Sequence, residues 1–584
     1  MAKRHARKWK GAHGMGLMAA LAAVIALSLA MGYYFNTGAS QYNDWDFYVY
    51  IYYSHVISAY GLRGGLAVLR GMGLLVFTGK YILLAVPALL YSALGINTLS
   101  ISLFGAVCLV GAMASIFCIA REIGGGRAGI FAAAAFGIAP ATILELGSAG
   151  DGLPLAFFSA LAALLLVKGW KGGKPWYIAA AGAALFVGAM ASSAEIFISL
   201  LAFAAFLAYE SPGGGGKALP RGSRLRPLAS LCAGSIIGLA ILIAADQLIL
   251  GSPLAYFLQS GPHATVNYFT QPQLPLGEVI GALFPAYYAY SYGYFWITPY
   301  SIPLPTPRAE LPHPGNFVGL LGYLMAACAA YLAYRKDRGM EFPLIWLVVV
   351  LLYLGAGTDS LGSGFIYFNP RFLMGALPPL SIVVGLGLDR MAHDAELAGA
   401  SRGGGALIRP AAYLCLAALA ALVAVTSFYI AQFCVTAWKT ELQPFVQAGS
   451  LVMGLPNGTT VYVSSAFLSP GAAGGNGTAY TVLSGQLSTV NFYNLIAVAL
   501  YGGYGHRFNT SYVYTGCGGL RRGSYVLVIN DLQELGYTQF PVNQSAPCAG
   551  LVPIPLNGGA GNPLAGYGIQ GQDAQLKAYE YGGP

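Results

Sequence analysis

The sequence predicts an all-α polytopic membrane domain of about eleven transmembrane helices, followed by a small extracytoplasmic α/β domain. Three observations predict it. Charged residues make up 9% of the 584 residues and hydrophobic ones 57%, where a soluble globular domain carries about 25% charged residues. Apolar runs of about 20 residues, enough to cross about 30 Å of hydrocarbon, recur from Met15 to Val435. Beyond Val435 the composition shifts toward Gly, Asn, Ser and Thr. The expected domains are therefore 1–434 and 435–584.

The basic N-terminus (Lys3, Arg4, Arg7, Lys8, Lys10) precedes an apolar run, 15–34, that is long and lacks a small-residue cleavage site. It reads as an uncleaved first helix rather than a signal peptide. Further spans are expected at 100–120, 128–147, 153–168, 176–193, 194–209, 228–250, 316–334, 342–358, 372–389 and 410–432. The stretch 73–94 is apolar enough to span. If it does not, most of the 30 Lys and Arg fall on one side, in clusters such as Arg121/Arg127, Lys168/Lys171/Lys174 and Arg335/Lys336/Arg338. The excess of cytoplasmic Lys and Arg in membrane proteins makes that arrangement the expected one. Stretch 73–94 becomes a juxtamembrane helix in a long outer loop, 35–99, and the outer side also receives loop 251–315 and the tail. The net charge of +9 is thus read as setting orientation in the membrane, not as binding nucleic acid. The expected location is a prokaryotic (archaeal or bacterial) cell membrane, with an endoplasmic reticulum membrane as the alternative, and the N-terminus cytoplasmic.

In the tail, Thr459–Ser464 and Ser524–Ile529 read as strands and Asn491–Tyr501 as a short helix. Four glycosylation sequons, at Asn457, Asn476, Asn509 and Asn543, all lie there, in agreement with an outer location. Cys517 and Cys548 suit a disulfide in an oxidising compartment. Cys108, Cys118, Cys232, Cys328, Cys415 and Cys434 sit in or beside apolar helices as packing residues.

Ionisable side chains at membrane depth are costly and mark function by default. The expected outer-side set is Asp44, Asp46, Lys80, Glu145, Asp151, Glu195, Asp246, Asp359 and Arg371. Asp44-Trp-Asp46 can supply a general base with its partner, or bind a divalent cation; two acids in a solvated loop are the plain alternative. Asp151, in Ser148-Ala-Gly-Asp151, suits both a site at the outer mouth and a helix N-cap. Glu145 reads as a helix-end acid. Lys80 is the one charge of 73–94 and either snorkels to headgroups or binds a phosphate. Arg371 breaks the charge asymmetry, which a lipid-phosphate contact or interface anchoring would explain. The aromatic run Tyr287–Trp296 reads first as an interfacial belt, with sugar stacking as the alternative.

Together these positions resemble the GT-C fold glycosyltransferases, especially the protein O-mannosyltransferase and lipid A aminoarabinose transferase superfamily. The resemblance rests on the acid pair, the Lys80 helix ending Leu90-Tyr-Ser-Ala-Leu-Gly95, Ala120-Arg-Glu-Ile-Gly124, the turn into Asp151, and Asn369-Pro-Arg-Phe-Leu with Leu377-Pro-Pro. It covers about a third of the chain. It implies inverting transfer of a sugar from a polyprenyl-phosphate donor to a protein, lipid or glycan acceptor outside. Asp44 or Asp46 matches the catalytic acid, and Lys80, Asp151 and Arg371 match donor-binding positions. Tyr81-Ile82 stand where some members carry two prolines. An oligosaccharyltransferase subunit is the nearest rival. That family's tail motif Trp-Trp-Asp-Tyr-Gly has no counterpart, since no Trp follows Trp438. A non-catalytic scaffold or a transporter is the rival of another class, and no inverted repeat supports the latter.

Overall fold

In the computed structural model the described residues are 2–36, 45–71, 80–146, 150–192, 196–209, 221–253, 318–356, 373–401, 410–411, 413–432, 461–464, 512–514, 522–529, 551–554 and 576–581. The chain is an integral membrane protein with a helical membrane domain. Its helices are α1 (Ala2–Asn36), α2 (Trp45–Gly71), α3 (Tyr81–Leu94), α4 (Thr98–Gly124), α5 (Gly126–Gly137), α6 (Pro140–Glu145), α7 (Gly152–Gly172), α8 (Pro175–Ala189), α9 (Ile196–Tyr209), α10 (Arg221–Leu250), α11 (Leu321–Tyr334), α12 (Glu341–Ala356), α13 (Leu377–Ser401) and α14 (Tyr413–Gln432). Five described stretches are long and apolar enough to cross a membrane: Met15–Phe35, Thr98–Gly124, Gly152–Gly172, Leu225–Ile249 and Tyr413–Gln432.

Each expected span carries a helix, with differences that have physical causes. The single span expected at 128–147 is two helices, because Pro140 cannot donate to a continuing ladder and instead opens α6. The outer loop expected at 35–99 contains α2, which buries Tyr50, Ile51, Tyr53, Val56 and Ile57 against α3. Its aromatic and β-branched residues hid the helix, since they have low helix propensity and their burial, not propensity, stabilises it.

Helices α4, α5, α7 and α13 form the centre, α8 packs outside α7, and α10 packs on α8. The apolar stretches of α4 and α7 are mostly buried, whereas those of α1, α10 and α14 are mostly exposed. Exposed Ile236, Ile237 and Ile241 on α10 and Leu414, Leu422 and Val425 on α14 are what a lipid-facing surface needs.

At one end of the bundle the cations are paired. Arg127 reaches Asp389 at 3.0 Å and Glu396 at 2.6 Å. Arg390 meets Asp337 at 2.7 Å and Arg335 meets Asp394 at 3.1 Å. Lys171 donates to the Glu122 carbonyl. These partly exposed pairs hold helix ends together and contribute little each.

Asn97 caps α4. Its Oδ1 accepts from the Ser100 N–H and its own N–H donates to Ser100 Oγ, both at 3.0 Å. Asn97→Ala is expected to cost about 1 kcal/mol, read as a lower melting temperature with unchanged activity.

All five described strands come from the tail: β1 (Val461–Ser464), β2 (Tyr512–Tyr514), β3 (Ser524–Ile529), β4 (Leu551–Ile554) and β5 (Leu576–Tyr581). They form one mixed sheet in the order β2-β1-β3-β5-β4. Strand β1 runs parallel to β2 and β3, and β5 antiparallel to β3 and β4. Pro553 lies in the edge strand β4, where its missing donor is tolerated. The sequons, Cys517, Cys548, Cys434 and the helix expected at 491–501 lie outside the described residues.

Candidate functional site

At the end of the bundle opposite the paired cations, four helices converge on the start of α3. Lys80 occupies the position before its first turn, with φ −89° and ψ 53°. Its Nζ donates to Asp151 Oδ2 and to the Tyr50 hydroxyl, each at 2.6 Å. It lies 5.0 Å from the centroid of the Tyr50 ring. Lys80 is 16% exposed and Asp151 4%, so the ion pair is nearly withdrawn from solvent. The ammonium therefore does not snorkel; it is turned inward and fixed by α2 and α7.

Asp151 stands at the N-cap position of α7, but its side chain makes no capping bond. The expected capping role gives way to the ion pair. Glu145 takes the space at that helix end: its Oε2 is 2.7 Å from where a Cβ on Gly152 would stand. Glu145 is buried as well, so its carboxylate packs on the first turn of α7, where the helix dipole favours negative charge. It is the expected helix-end acid, and a Cβ at 152 would crowd it.

Tyr81, the next residue, turns the other way. Its hydroxyl donates to Asp246 Oδ1 at 2.6 Å, near the end of α10, and both groups are buried. Burial first, and then the Asp246 carboxylate, hold the Tyr81 phenol well above its ordinary pKa, so it stays a donor. The Ile82 and Leu83 N–H groups both point at the Met190 carbonyl at the end of α8, at 2.8 and 3.3 Å.

The structure thus brings Lys80 and Asp151 together, two of the five residues singled out from the sequence. Asp46 lies in α2 one helical turn before Tyr50; its side chain, Asp44, Arg371, Glu195, Asp359 and the aromatic run Tyr287–Trp296 lie outside the described residues. Tyr50 was missed as a Lys80 partner. The signal was available in its place four residues after Asp46, the spacing that puts two residues on one helix face. Among the described residues no three His, Cys, Asp or Glu side chains come together as a metal site.

By likeness to solved structures the helical domain has the GT-C fold. In structure the chain is similar to ArnT, the lipid A aminoarabinose transferase, from Cupriavidus metallidurans. To the apo form it has a TM-score of 0.50 at 12% identity, covering 97% of this chain and 98% of that one. To the form bound to undecaprenyl phosphate the TM-score is 0.48 at 12% identity, covering 98% and 99%. To the apo oligosaccharyltransferase of Archaeoglobus fulgidus it is 0.47 at 12% identity, and the chain spans 64% of that protein's length. No family model matches the sequence, and no curated protein matches it by sequence.

Proposed function

We propose that this protein is a membrane glycosyltransferase. It moves a sugar from a polyprenyl-phosphate donor to a protein, lipid or glycan acceptor at the outer face. The observation that carries the reading is the Lys80 ammonium, held by buried Asp151 and Tyr50 at one end of a GT-C bundle. A fixed cation in a site shielded from water is what a departing lipid phosphate needs. The fold shared with ArnT supports the same donor class.

In the proposed reaction a carboxylate of the Asp44–Asp46 pair takes the proton of the acceptor hydroxyl. The acceptor oxygen forms a bond to the anomeric carbon as the bond from that carbon to the phosphate oxygen breaks, with inversion. The electron pair leaves with the polyprenyl phosphate, whose charge Lys80 and Arg371 neutralise. Asp46 is one turn from the Tyr50 that holds Lys80, which favours base and cation in one cavity. The topology that goes with this reading has about eleven crossings, a cytoplasmic N-terminus and the tail outside.

The test is transfer of radiolabelled sugar from a panel of polyprenyl-phosphate sugars by purified protein to a cell-surface acceptor extract. Transfer is expected, and it is expected to fall about 10²-fold in whichever of Asp44→Asn and Asp46→Asn removes the base. Transfer only from a lipid-linked oligosaccharide to a sequon peptide would instead place the protein with the oligosaccharyltransferases. No transfer in either assay from folded protein would sink the enzyme reading.

A further inference from the structure

Lys80 is held at two places. Its head is fixed by Asp151 and Tyr50, as described. Its root, the first turn of α3, is tied to two other helices: Tyr81 to Asp246 on α10, and the Ile82 and Leu83 N–H groups to the Met190 carbonyl closing α8. The Met190 carbonyl also occupies two of the donors that a helix N-terminus would otherwise turn toward an anion. On this helix start the group suited to a phosphate is the Lys80 ammonium.

Asp246 calls for its own explanation. It is fully buried on α10, a helix otherwise largely exposed, and a carboxylate in an apolar segment is expensive. Lysine is a point charge on a flexible stem. It works as a preorganised electrostatic ligand only if its backbone is fixed as firmly as its ammonium.

We propose that Tyr81 and Asp246 are positioning residues that root α3, so that the Lys80 ammonium meets Asp151 and the donor phosphate in one place. This rests on the function proposed above. The pair touches neither donor nor reacting atoms; it acts through Lys80.

Two measurements on the full-length protein in detergent test it: the acylation rate of the Lys80 amine, and binding of undecaprenyl phosphate. They are made on wild type, Tyr81→Phe, Lys80→Met and the double variant, with Lys171 and Lys174 labelling at the far end as the control for folding. Tyr81→Phe is expected to speed Lys80 labelling while Lys171 and Lys174 stay unchanged. It should also weaken binding about tenfold, the scale of outer partners that orient a ligand. In the Lys80→Met background it should weaken binding no further. Asp246→Asn, which still accepts from Tyr81, should stay closer to wild type than Asp246→Leu. Unchanged Lys80 labelling in Tyr81→Phe, or the same weakening with and without Lys80, would overturn the proposal. Faster labelling in a protein that never binds undecaprenyl phosphate would uphold the positioning pair and remove the donor reading instead.

Discussion

Replacing Lys80 with methionine is expected to destabilise the protein by about 3–5 kcal/mol and to slow sugar transfer about 10³-fold. The two effects have different causes and can be separated. The stability loss comes from Asp151. At 4% exposure its carboxylate cannot recover its hydration when the ammonium is gone, and methionine fills the stem's volume without returning the charge. The rate loss comes from the donor phosphate, which would leave without its fixed cation. Adding Asp151→Asn removes the orphaned charge, so the Lys80→Met/Asp151→Asn protein should regain most of the melting temperature and none of the turnover. Thermal melts in detergent and single-turnover transfer read the two effects independently. A Lys80→Met protein that melts like wild type would mean that the ion pair contributes no net stability. A double variant that regains transfer would remove Lys80 from the chemistry.

How far these features could be read beforehand depends on whether their signal is local in the chain. Lys80 and Asp151 were legible because each is an isolated charge in an apolar context. That they form one pair was not, because 71 positions separate them. Asp246 stood out as a costly acid but had no role to go with it, since nothing in sequence links it to a tyrosine 165 positions away. Lys80 was expected inside a helix over 73–94, whereas it stands just before α3, which begins at Tyr81, where Tyr81-Ile82 replace the two prolines of some family members. That replacement has a physical consequence: prolines would restrict the backbone there, whereas Tyr81 and Ile82 supply two hydrogen-bond donors that prolines lack. Strands β1 and β3 were legible in runs of Val, Tyr and Ile. Strand β2, three residues long, has no periodicity to read. The order of the sheet follows from pairings between segments far apart, which no local pattern encodes.

Gly234→Leu is expected to prevent the bundle from assembling, and Gly234→Ala to destabilise it by about 1–3 kcal/mol or more. A Cβ at Gly234 would stand 1.8 Å from the Ala179 carbonyl oxygen and 2.4 Å from its carbon. The contact is mutual: on α8, a Cβ at Gly182 would stand 2.5 Å from the Leu231 carbonyl oxygen and 2.8 Å from the Ser235 nitrogen. These are backbone atoms, so no side chain can rotate away and the two helices must part. Close backbone approach through small residues is how helices associate where lipid removes the hydrophobic drive. The displacement would carry along α10 to Asp246, three turns further on, and pull at its 2.6 Å bond with Tyr81. Loss of fold and loss of Lys80 positioning should therefore appear together, as a lower melting temperature and faster Lys80 labelling. Gly16→Ala on α1 is the control, because nothing lies within 4 Å of its Cβ. There the gain in helix propensity should leave stability unchanged or slightly raised. Equal melting of the Gly16→Ala and Gly234→Ala proteins would show that α8 and α10 do not meet through these glycines.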